Sequence, residues 1–132
     1  MFMLPPWLRL MDFQYHEGEI SAKLGNFKGH LSMAPSDYYR RNVAIGASCV
    51  PRADLDLRAA IGPDQIMWGS DYPHPEGTWP NTAEYFRTTF SDFPEADGRK
   101  ILGANAIAFY GLDREKLQVV ADSIGPDVSM FA

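Results

Sequence analysis

Asp71 is the residue of this chain best placed to do chemistry. It follows the short apolar run Ile66-Met67-Trp68-Gly69 and then Ser70, and Pro73 stops regular structure two residues later. That order reads as a buried strand whose far end hands a carboxylate to a loop. In barrels and open α/β sheets the carboxyl ends of parallel strands carry the chemistry. A carboxylate there suits two tasks: it ligates a divalent cation through oxygen, and it accepts a proton from an activated water. The bland alternative is an aspartate that hydrogen-bonds its own turn ahead of Pro73, and on residue types alone that role is the commoner. His74, three residues on, is either a substrate-contacting group at the same mouth or an exposed loop histidine.

Other chemistry-bearing residues carry less. Ser70 has no histidine near it in sequence to serve as its base, which argues against a nucleophilic serine. Cys49 ends an apolar run, where cysteine is more often a small buried residue than a nucleophile. Arg40 and Arg41 have the chemistry to grip a carboxylate in bidentate fashion, but they lead into the amino end of a strand, away from the catalytic side of such folds. His16 and His30 read as surface residues.

Gly69-Ser70-Asp71-Tyr72-Pro73-His74 resembles the last-strand signature of the amidohydrolase-related metal-dependent hydrolases, a group that includes nonoxidative decarboxylases. The resemblance extends to Pro35-Ser36-Asp37-Tyr38-Tyr39-Arg40-Arg41-Asn42-Val43, before the seventh strand, and to Ile61-Gly62-Pro63-Asp64-Gln65-Ile66, before the eighth. Downstream, Lys100-Ile101-Leu102-Gly103-Ala104-Asn105-Ala106 and Phe109-Tyr110-Gly111-Leu112-Asp113 resemble the closing helix, so the similarity runs from about residue 35 to 113. It implies an α/β fold, the C-terminal portion of a (β/α)8 TIM-type barrel. It also implies Asp71 as metal ligand and general base, His74 at the substrate, a divalent metal (Zn or Mn), and a small carboxylic, lactone or amide substrate. Nonoxidative decarboxylation is the alternative reaction. A truncated chain without catalysis is the alternative outside enzymology, because relatives use a His-x-His pair and further histidines, and His16, His30 and His74 show no such spacing.

Length sharpens that tension. A (β/α)8 barrel typically takes about 250 residues, and this chain has 132. The expectation is one C-terminal fragment over 1–132, holding about the last two strands with their helices. An incomplete barrel exposes strand edges and apolar surface, so self-association or a larger parent chain is expected.

Composition is ordinary, 45% hydrophobic and 22% charged, with net charge −5. Without a basic run, a nucleic-acid surface is not expected. The single cysteine rules out an intrachain disulfide and suits a reducing, cytoplasmic setting. Met1 to Pro6 lacks the basic and apolar regions of a signal peptide. No run nears the roughly 20 apolar residues of a membrane helix.

Periodicity supplies the elements. Pro5-Pro6 opens a helix to about Glu17, with Leu4, Trp7, Leu8, Met11 and Tyr15 on one face. Residues 18–33 read as a loop, and Ser36 as the cap of a short helix aided by Asp37. Val43 to Cys49 and Gln65 to Ser70 read as parallel strands buried on both faces. A helix from Ala53 to Ile61 joins them, stopped by Gly62-Pro63. Asn81 with Glu84 suggests a capping box, and Phe86 and Phe90 share a face. Pro94 starts a helix to Leu102, Asn105 caps the segment ending at Gly111, and Asp113 caps a last helix striped by Leu117, Val120, Ala121 and Ile124.

Overall fold

Prolines at the first turn give up an amide that no helix would use there, and α1 runs Leu4–Glu17 over Pro5 and Pro6 in the computed structural model, which describes residues 1–17 and 27–131. Its buried side is narrower than the periodicity suggests. Pro5 and Leu8 are buried and Asp12 and Tyr15 half-buried, while Trp7 and Met11 are exposed. Asp12 turns inward because it has a partner: its carboxylate accepts the Ser36 amide at 2.9 Å. This relocates the cap of α2, Pro35–Asn42. Its N-cap is Ala34, with no side-chain acceptor, and Asp12 meets one of the orphan amides instead of Ser36. Asp37 in its first turn and Arg40 and Arg41 in its last suit the helix dipole. Of the expected loop at 18–33, residues 18–26 lie outside the described residues, and Phe27–Gly29 form a single 3-10 turn. These elements make one compact unit, Met1–Val43.

The second unit, Ala44–Ala132, contains the two strands. β1, Ile45–Ser48, and β2, Ile66–Gly69, pair in parallel with Ile45 opposite Ile66 and Ser48 opposite Gly69. The expected burial on both faces is corrected for β1. Ile45 and Ala47 turn one way, half-buried and buried, while Gly46 and Ser48 are exposed on the other. Nothing among the described residues comes within 4 Å of where a Gly46 side chain would begin.

Two helices, α3 (Arg52–Leu55) and α4 (Arg58–Ile61), replace the single expected one. Leu55 and Ile61 are both fully buried. Six positions apart, they would point about 240° apart around a straight helix, so a break is needed to bury both. Gly62 ends α4 at φ +101, where a side chain would be strained and would strike the Gln65 side chain.

α5, Thr82–Phe90, lays Phe86 and Phe90 into the core. Fully buried Phe90 meets the rings of Phe86, Phe93 and Phe131 edge-on, at 5.9, 5.4 and 6.2 Å. Burying each such side chain contributes about 1.5–3 kcal/mol. The expected capping box does not form, since Asn81 occupies the N-cap without a side-chain bond. Thr78 and Thr82 pair their hydroxyls at 3.0 Å just before the helix.

The next helix is longer than the prolines and asparagines imply. α6, Glu95–Arg99, passes through a π-turn at Lys100–Ala104 directly into α7, Asn105–Tyr110. Asn105 is therefore not a cap. Its side-chain amide donates to the carbonyls of Pro63 at 2.7 Å and Ile66 at 2.8 Å, pinning the start of β2. Gly111 closes α7 in the left-handed conformation at φ +63. Asp113 then caps α8, Arg114–Ile124, as expected: it accepts the Lys116 amide, which holds its carboxyl below the ordinary aspartate range. The stripe on α8 is present in sequence but bare, with Leu117, Val120 and Ile124 all exposed.

Candidate active site

β2 ends at Gly69, and the chain turns through Ser70 to Asp71, which adopts φ +60. Aspartate tolerates this region better than most residues, at a cost of about 1–2 kcal/mol. The ring of contacts around it is tight. The Ser70 carbonyl accepts the Thr78 amide at 3.0 Å, and the Asp71 carbonyl accepts the His74 amide at 2.7 Å. The Gly77 amide bonds the His74 carbonyl at 2.9 Å. A side chain on Gly77 would sit 2.6 Å from the Ser70 carbonyl oxygen and 3.1 Å from that of Asp71. Only glycine lets the loop close this far.

The side chains divide the work. Ser70 Oγ accepts the Tyr72 amide at 3.3 Å, which is the turn-bonding job expected of an idle aspartate. The Asp71 carboxylate is left out of that network and is 43% exposed. Its near neighbour is His74, whose Nδ1 lies 3.5 Å from Oδ2, longer than a hydrogen bond. His74 Nδ1 accepts the Glu76 amide at 3.3 Å, so the neutral ring carries its proton on Nε2.

A second anchor comes from β1. Cys49, at φ +49 just past that strand, donates its thiol to the Glu76 carbonyl at 3.2 Å. Sequence reading treated Cys49 as a buried filler; it is half-buried and ties the two strand ends together. Tyr85 on α5 adds a third tie, its hydroxyl donating to the Val50 carbonyl, and burial pushes the phenol up. Trp68, on β2, packs on Tyr85 and Phe86 with centroids at 6.1 and 4.7 Å. Trp68 is half-buried against these rings.

The remaining candidates belong to the Met1–Val43 unit. Arg40 bonds Ser36 and Asp37 on its own helix, and Arg41 lies over the Tyr38 ring at 5.1 Å. His16 and His30 are exposed. Among the described residues, no three His, Cys, Asp or Glu side chains gather as a metal-binding group. Catalytic zinc normally takes three protein ligands, so the described residues do not by themselves make up a metal site.

A short parallel pair with a carboxylate just past the carboxyl end of one strand is consistent with a fragment of a larger α/β fold. Residues 23–112 match the family model described as amidohydrolase, and the chain belongs to the amidohydrolase family. That family implies a TIM-type barrel and typically uses a divalent metal. No curated protein matches the chain. No described helix is long and apolar enough to cross a membrane.

Proposed function

We propose that this chain is part of a metal-dependent amidohydrolase acting on a small carboxylic, lactone or amide substrate, with β1 and β2 as the last two strands of its barrel. The observation that carries the reading is the Asp71 carboxylate. It emerges at the carboxyl end of a parallel strand while Ser70, not Asp71, bonds the turn. In this role Asp71 would supply one oxygen ligand and a carboxylate able to accept a proton, and His74 would contact the substrate. The histidines that would complete the ligand set come from outside the described residues.

The test is titration of the 15N-labelled chain with Mn2+. Paramagnetic broadening should centre on the amides of Asp71, Tyr72 and His74 and vanish in Asp71→Asn. Asparagine fits the same backbone conformation, so that variant should melt within about 0.5 kcal/mol of the parent. Broadening that persists unchanged in the variant would sink the assignment. No broadening at all would favour a chain without catalysis of its own.

The partners follow from the same reading: a small-molecule substrate, and further barrel strands from a parent chain or a second copy. The open β1 face and the bare α8 stripe support this. Sedimentation velocity of the purified chain should show species larger than one chain. A clean monomer at all concentrations would count against an incomplete barrel.

A further inference from the structure

Two large aromatics stand at the two ends of the Asp71 loop, and each is 65% exposed: Tyr72 and Trp79. Loops do not usually spend such residues on solvent. These two meet each other edge-on, with ring centroids 5.5 Å apart and planes at 73°. The Ser70–Thr78 backbone bond at 3.0 Å brings their chain segments side by side. The contact therefore closes the loop from outside, opposite in sequence to the Gly77 closure within it.

We propose that Trp79 is a positioning residue for Asp71: its ring braces Tyr72, and through that peptide link holds Asp71 in its left-handed conformation. The magnitudes agree. An edge-to-face aromatic pair contributes beyond its buried area, on the same scale as the cost of a left-handed non-glycine residue. The brace is thus of the size needed to offset much of that cost. The other ties, Cys49 to Glu76, Gly77 to His74 and the His74 amide to the Asp71 carbonyl, fix the loop's main chain, while the Tyr72 ring meets Trp79. The Tyr72 amide donates to Ser70 Oγ. The functional weight of this brace rests on the reading of Asp71 given above, but its structural claim does not.

The experiment compares the parent chain with Trp79→Ala and Trp79→Phe by NMR and by thermal melting. In the parent, Asp71 should show the strong intraresidue Hα–HN NOE of a left-handed residue. Trp79→Ala should weaken that NOE and raise His74 amide exchange about tenfold, with the melt lowered by no more than the few degrees that such a local loss implies. Trp79→Phe keeps an aromatic edge and should restore both signals. An Asp71 NOE indifferent to Trp79→Ala overturns the proposal. So does a large drop in the melt of Trp79→Ala, or failure of Trp79→Phe to restore. The Mn2+ titration of Asp71→Asn separates the two claims: if it shows no effect there while Trp79→Ala still frees the Asp71 backbone, the brace stands and the metal reading falls.

Discussion

Phe90→Ala lowers the stability of the Ala44–Ala132 unit by about 3–5 kcal/mol, the range for emptying a fully buried aromatic site. Phe90 has no exposed surface and touches three other rings, so the void cannot be filled from one side alone. Two of its neighbours are also fixed from outside. Arg58 lies over the Phe93 ring at 4.5 Å while bonding Asp97 at 2.7 Å, and Phe86 meets the Trp68 ring edge-on at 4.7 Å. Collapse into the cavity would break those contacts, which favours the upper half of the range. Urea titration followed by far-UV circular dichroism gives the midpoint. A shift equivalent to less than about 1 kcal/mol would mean that this aromatic cluster is not the core of the unit.

Asn105→Leu is the second large effect, about 2–4 kcal/mol, and it arises from polarity where the first arises from volume. The substitution keeps the size and removes both donors, leaving the Pro63 and Ile66 carbonyls without their side-chain partner at a cost of about 1–3 kcal/mol for each buried acceptor left unmet. Asn105→Asp separates geometry from donation. An ionised carboxylate there faces two carbonyl oxygens and donates nothing, so its own pKa in the folded state rises. A raised carboxyl pKa means the folded state holds the proton more tightly than the unfolded one, so stability increases as pH falls through the folded value. Denaturation of Asn105→Asp should therefore improve on acidification relative to Asn105→Leu. Parallel pH profiles for the two variants would show that the amide donors are not what matters.

How much of this was legible in the residues depends on the range of the interaction. Gly62-Pro63, Asp113 and Gly111 announced their turns and caps because their physics is local, fixed by one residue's backbone freedom or one side-chain acceptor. The parallel pairing of the two strands followed from their apolar runs and short connection. Ser36 and Asn105 do not cap, for a common reason: each has cap chemistry, but the competing partner lies elsewhere in the chain. Asp12 reaches Ser36 from 24 residues away, and Asn105 reaches Ile66 across 39. At the candidate site, the place of Asp71 just past a strand was legible from the apolar run before it. Gly77 and the Cys49 tie were not, although a glycine three residues past a histidine in a closed loop was a usable signal for the first. The thiol bond depends on two strand ends meeting, which no local pattern encodes.

The π-turn at Lys100–Ala104 has a meaning for anyone aligning or redesigning this chain. Its backbone bonds reach back five residues where an α-helix reaches four. It therefore acts as a phase step, in which everything from Asn105 onward is rotated relative to the helix that began at Glu95. A straight helix written through the same residues would carry Asn105 about 100° off its two carbonyls. Helical periodicity counted from Ile101 thus gives the wrong face for Ile107, and a consensus sequence built without the extra residue would erase the anchor of β2 while looking more regular.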